Sequence, residues 1–133
     1  TLATDGKLIL GIKELLLKLK ERAKVVILTA DTYGSVRKEC SFLGEAVMAF
    51  PREGVSYTKR EIVEKLGASQ TICIGNGFND IEMFKIAALS IAVIGREGCS
   101  GRLLAYADIV VTSIQDAMEL ILSPNRIKAT LRT

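Results

Sequence analysis

Histidine is absent from the 133 residues, which removes the commonest general base and with it every Ser-His or Cys-His nucleophile arrangement. Any catalysis must then run on carboxylates, lysine or a metal ion. Cysteine is scarce. Cys40, Cys73 and Cys99 are odd in number, widely spaced and without a Cys-x-x-Cys pair, so neither a disulfide framework nor a zinc site is expected. Cys73 lies in an apolar run, where a free thiol behaves as a small hydrophobe, and a reducing, cytoplasmic compartment fits this usage. Apolar runs fall far short of the ~20 residues that span a bilayer, and no signal peptide opens the chain, so a soluble protein is expected. Excess charge is also lacking. Eighteen basic and fifteen acidic residues give +3 and are spread along the chain, leaving no electrostatic footprint for nucleic acid. Arg126, Lys128 and Arg132 read as a solvated helix face.

What is present reads as one domain over residues 1–133, large enough to bury a core without staples. Ile12, Leu15, Leu16 and Leu19 within Gly11 to Ala23 have helical spacing with one buried face. Val25-Val-Ile-Leu-Thr29 is a continuous apolar run of the kind buried on both faces of a parallel sheet. Asp31 or Thr32 is expected to cap a second helix running to about Leu43 and ended by Gly44. A strand over Ala46 to Phe50, a turn over Pro51 to Gly54 and a helix over Tyr57 to Leu66 follow. Then come a strand over Thr71 to Ile74, a helix from about Asp80 to Ala87 and a strand over Leu89 to Ile94. A second glycine turn, Gly95 to Gly101, leads to a short helix over Arg102 to Tyr106, a strand over Asp108 to Val111 and a last long helix over Ile114 to Leu122. Strands alternating with helices argue an α/β fold, a right-handed, doubly wound parallel sheet covered on both faces. The opening Thr1 to Ile9 reads as a turn with no strand before it.

The most informative stretch is Thr71-Ile-Cys-Ile-Gly-Asn-Gly-Phe-Asn-Asp80, an apolar strand emptying into a glycine turn that carries three carboxamide or carboxylate groups. Such turns sit at the carboxyl ends of parallel strands, where ligands bind. Asn76, Asn79 and Asp80 offer oxygen ligands of the kind Mg²⁺ takes. The structural alternative is that Asn79 caps the next helix and Asp80 sits in its first turn. Neither glycine turn is a dinucleotide fingerprint: Asp80 stands where the third glycine belongs, and Gly95 to Gly101 lacks the acidic residue beyond the next strand. No P-loop pattern occurs. Thr29 at one strand end and Lys59 early in its helix complete the polar positions of interest, although each alone is readable as a β-branched strand residue and a solvated helix charge.

In this order the three positions resemble the motifs of the haloacid dehalogenase (HAD) superfamily of phosphatases and P-type ATPases. Val25 to Thr29 is similar to its second motif, whose terminal hydroxyl binds the transferring phosphoryl group. Lys59 is similar to the third, the lysine that offsets charge on the phosphoaspartyl intermediate, and Ile74 to Asp80 to the fourth, which holds Mg²⁺. The downstream Leu89 to Gly98, Ala107 to Val111 and Asn125 to Arg132 resemble, more narrowly, the small soluble P-type-ATPase-like phosphatases. The resemblance implies a Rossmann-like core and Mg²⁺-dependent hydrolysis of a phosphomonoester through an aspartyl phosphate. Thr29 and Lys59 would be catalytic, and Asn76, Asn79 and Asp80 would hold the metal. The substrate would be a small phosphorylated molecule or a phosphoprotein.

Two departures stand out. Asn76 replaces the superfamily's usual aspartate, removing one charge from the ligand set. The first motif, a strand ending in the nucleophilic aspartate, would end at Thr1-Leu2, and Asp5 is no substitute because no apolar strand precedes it. The expectation is therefore that this strand enters from outside the sequence, between the strand ending at Thr29 and the one ending at Ile74. Neither inter-motif gap has room for a cap domain, which implies an open site and suggests a homo-oligomer that roofs it. The competing reading is a non-catalytic binding or regulatory module on the same fold.

Overall fold

The computed structural model of the protein describes residues 1–30 and 34–133, with the backbone alone at position 45. In chain order it has strands β1 (Ala3–Thr4) and β2 (Lys7–Leu8), helix α1 (Ile12–Lys20), strand β3 (Ile27–Thr29), helix α2 (Ser35–Glu39) and strand β4 (Val47–Ala49). Helix α3 (Val55–Leu66), strand β5 (Ile72–Gly75), helix α4 (Ile81–Ile86), strands β6 (Leu89–Val93) and β7 (Ile109–Val111), and helices α5 (Ile114–Leu122) and α6 (Pro124–Leu131) follow.

The periodicity of α1 puts Ile12, Leu16 and Leu19 on one buried stripe, packed against α5, which buries Ile114, Ala117 and Met118. The Ser113 hydroxyl caps α5 by accepting the Asp116 N–H at 3.1 Å, satisfying one orphan donor of the first turn. Strands β3 and β4 pair in parallel from Ile27↔Val47 to Thr29↔Ala49. Strands β5, β6 and β7 form a second parallel sheet in that order. Alternation along β6 shows the layering: Ile91 and Val93 enter a core with α1, α5, Ile27, Val47 and Ile109, whereas Ala92 enters another with Val63, Cys73, Ile81, Phe84 and Leu103. Successive strand residues point to opposite faces, so β6 is buried on both. This is the expected α/β class.

Among the described residues β3 and β5 do not pair with each other, which leaves a place for the strand expected between them. Several other expectations shift. The apolar run ending at Thr29 is ladder-paired only from Ile27. The second helix is shorter than expected: α2 starts after Gly34, whose φ of 82° suits glycine, and gives way to a 3₁₀ segment, Ser41–Ala46, interrupted at Gly44 with φ 58°. The proposed caps Asp31 and Thr32 lie outside the described residues. Likewise the short helix near Arg102 is a 3₁₀ turn, Leu103–Tyr106, and α6 extends the chain beyond the helix taken as last. At the start, the turn-like opening is a hairpin, β1 against β2, with Asp5 at φ 51° and Gly6 at φ 80°. Two left-handed residues in sequence are what a two-residue hairpin turn requires, and Asp-Gly meets it cheaply. Asp5 thus serves the turn.

Candidate active site

Helix α3 supplies the site's cation. In α3 the buried positions are Val55, Lys59 and Val63, spaced i, i+4, i+8 on one face, so the lysine stands in the apolar row rather than on the solvent side. Its ammonium donates to Asp80 Oδ1 at 2.7 Å and to Asn79 Oδ1 at 3.0 Å. The two charged side chains are only 8% and 5% exposed. Burying such a pair costs several kcal/mol of desolvation per ion, which good geometry and further hydrogen bonds must offset.

Those further bonds come from the loop itself. Asp80 Oδ2 accepts the backbone N–H groups of Asn76 at 3.1 Å and Gly77 at 3.0 Å, so the carboxylate closes the turn 76–80 from below. Gly75 makes this approach feasible: a Cβ there would meet Asp80 Oδ2 and lie 2.6 Å from its Cγ, a clash no side chain could relieve. Positive φ has no part in this requirement, which is one of space. A 3₁₀ turn, Phe78–Asp80, then leads into α4.

Asn76 is held from two sides. Its Oδ1 accepts the Thr1 hydroxyl at 2.8 Å, and its Nδ2 donates to Gly98 O at 3.4 Å. The Asn76 carbonyl accepts Ser100 N–H at 2.8 Å. The second glycine turn, which the sequence presented without a role, therefore braces the first. Its signal was present in the glycine spacing, but nothing in one sequence says that Gly98 and Ser100 face Asn76 across 22 and 24 positions. Thr1 was equally unforeseen.

Thr29 ends β3, with its carbonyl accepting Phe50 N–H at 2.9 Å. It lies on the other sheet, while Lys59, Asn76, Asn79 and Asp80 converge on one loop. All five stand at or beside carboxyl ends of parallel strands or on the helix facing them.

The donor chemistry fits Mg²⁺ in part. The described residues contain no cluster of three or more acidic, cysteine or histidine ligands. Asp80 is the sole carboxylate of the loop, and three of its acceptor positions are filled by Lys59, Asn76 and Gly77. Mg²⁺ usually takes one or two carboxylates and keeps waters and substrate phosphate for the rest. Asn76 and Asp80 can therefore supply part of a shell that a second carboxylate would complete. Asn79 turns its oxygen to Lys59.

Burial, followed by the negative charge of Asp80, pushes the Cys73 thiol up to about 12, and burial also raises Cys40 and Cys99. All three are free.

Parallel strands with helices on both faces and polar turns at strand ends define an α/β domain of the Rossmann-like hydrolase class. The chain belongs to the haloacid dehalogenase-like hydrolases, whose family model matches residues 56–117. Among its relatives, the uncharacterized protein MJ0073 of Methanocaldococcus jannaschii is 45% identical over 78 residues, covering 56% of this chain and 84% of that one. A soluble P-type ATPase-like phosphatase of the same organism is 27% identical over 123 residues, 90% of this chain but 45% of the phosphatase. The solved structure of phosphoserine phosphatase in apo form superposes with a TM-score of 0.66 at 27% identity, covering 85% of this chain and 65% of that one. The chain thus spans less than half the length of the phosphatase relative. No helix among the described residues is long and apolar enough to cross a membrane.

Proposed function

We propose that this chain forms most of the active site of a Mg²⁺-dependent phosphohydrolase that works through an aspartyl phosphate. The observation that carries the reading is the buried Lys59 ammonium held between Asn79 and Asp80 at the mouth of β5. A cation fixed in a low-dielectric site, with its partners already arranged, stabilises charge developing on phosphoryl oxygens without reorganising. Thr29 would bind the same phosphoryl group by its hydroxyl. Asn79 would keep Lys59 oriented, and Asn76 and Asp80 would hold Mg²⁺ jointly with a further carboxylate. When bound, the ion would neutralise phosphate charge and help align the ester.

The attacking carboxylate is assigned to a strand seated between β3 and β5, contributed from outside residues 1–133. Among the described residues each of those strands forms a ladder with one neighbour, and Ile72 on β5 is left 40% exposed. Unpaired buried backbone groups cost about 1–3 kcal/mol each, so a parallel strand in that place would satisfy both edges. The carboxylate oxygen would attack phosphorus as the ester P–O bond breaks, the leaving alcohol taking a proton from solvent. Water would then cleave the acyl phosphate, releasing phosphate and restoring the carboxylate.

A second reading, a non-catalytic binding module, is favoured by one observation: Asn76 Oδ1, Asn79 Oδ1 and both Asp80 oxygens already have protein partners. Hydrolysis of p-nitrophenyl phosphate by the protein carrying such a strand separates the two. Turnover that requires Mg²⁺ and falls at least ~10²-fold in Lys59→Ala supports the enzyme. Absence of turnover in the presence of Mg²⁺ supports the module.

A further inference from the structure

Within the loop 76–80 the polar side chains turn toward the protein, whereas Phe78 between them is 60% exposed. An aromatic ring left in water beside a reaction centre forgoes burial that its neighbours enjoy. The guanidinium of Arg102 lies 5.9 Å from its ring centroid, within reach of the attraction between a cation and a ring face. The backbone that carries Arg102 is tied to the site: Ser100 N–H bonds Asn76 O at 2.8 Å, Leu103 N–H bonds Ser100 O at 3.0 Å, and Leu103 is fully buried next to Arg102. The backbone segments bearing the ring and the guanidinium are therefore joined at the loop that positions the Lys59 partners. The remaining large side chains of the loop have no comparable outward surface.

Resting on the phosphoryl-transfer reading, we propose that Phe78 and Arg102 choose the substrate by its leaving group, favouring phosphate monoesters whose leaving group is a flat aromatic ring. Phe78 directly precedes Asn79, whose Oδ1 accepts the Lys59 ammonium at 3.0 Å, so the exposed ring stands on the same turn as the group that would hold the phosphoryl oxygens. Stacking on the ring face opposite Arg102 takes an aryl group better than an alkyl one.

The experiment is a ¹H–¹⁵N titration, in Mg²⁺, of the protein carrying the strand between β3 and β5 with phenyl phosphate, methyl phosphate and inorganic phosphate, for wild type and Phe78→Leu, which keeps apolar bulk without the ring. Phenyl phosphate should bind roughly three- to tenfold tighter than methyl phosphate, shifting the amides of Phe78 and Asn79 together, and the ratio should fall toward one in Phe78→Leu. Equal affinities, or a preference that survives Phe78→Leu, would overturn the assignment while leaving the phosphoryl site intact. Phenyl phosphate that moves Phe78 but not Asn79 would also overturn it, as ring adhesion away from the site. If none of the three compounds shifts Asn79, the phosphoryl-transfer reading itself fails, and the leaving-group assignment with it.

Discussion

Lys59 Nζ stands 2.7 Å from Asp80 Oδ1 with both side chains almost wholly out of solvent, so a charge borne by α3 is locked to the loop that follows β5. Removing one member of such a pair leaves the other buried and unmatched. Lys59→Ala is expected to destabilise the fold by about 3 kcal/mol, the low end of the usual range because Asp80 keeps two backbone donors. Adding Asp80→Asn should recover part of that loss without restoring phosphate binding. Chemical denaturation of the single and double variants measures the first effect, and phosphate titration the second.

Gly75→Ala should disrupt the site through space alone. The new methyl would sit against the Asp80 carboxylate, and overpacking of this kind costs about 1–3 kcal/mol. Gly101→Ala is the matching control, since a Cβ there meets nothing within 4 Å, and should leave stability within about 0.5 kcal/mol of wild type. Thermal denaturation of the two proteins side by side checks the contrast.

Asn76→Asp should tighten Mg²⁺ binding by returning a full charge to the ligand set. Asn76 Oδ1 now accepts the Thr1 hydroxyl, and an aspartate can keep that bond. Calorimetry that shows unchanged or weaker binding would mean position 76 does not reach the ion.

The thiols should report the fold through pH. Cys73 is raised to about 12 by burial first and Asp80 second, above its usual value near 9, so the folded state favours the proton. That contribution is fully present below about pH 9 and is lost as pH rises toward 12. At pH 8 the native protein should therefore alkylate at half-exposed Cys99 well before Cys73 or Cys40, and all three together once denatured. Mass mapping after brief iodoacetamide treatment reads the order.

The sequence made the strands and helices around the site legible because their signals are local. Val25 to Thr29 and Thr71 to Ile74 are apolar runs, and Val55 to Leu66 carries a stripe of period 3.6. Lys59, readable alone as a solvated helix charge, stood out through its order between Thr29 and the run Asn76 to Asp80; its burial between Val55 and Val63 is seen in the fold. The Asp5-Gly6 hairpin was missed because its strands are two residues each, too short for alternation to register. The partition of strands into two sheets, and the bracing of Asn76 by Gly98 and Thr1, depend on contacts between residues far apart in sequence. Helix α2 was over-extended because Val36 to Leu43 has helical spacing, while Gly44 and the 3₁₀ geometry of Ser41–Ala46 cut it short.

The most direct test of the central claim is whether phosphorus becomes covalently bound to carboxylate. The protein bearing a strand between β3 and β5 that ends in aspartate, mixed with ³²P-labelled phosphomonoester and Mg²⁺ and quenched in acid within one turnover, should carry label that hydroxylamine releases. That label should be absent in EDTA and when the strand's aspartate is replaced by asparagine. Turnover without any hydroxylamine-labile label in a quench that captures the first cycle would contradict the account.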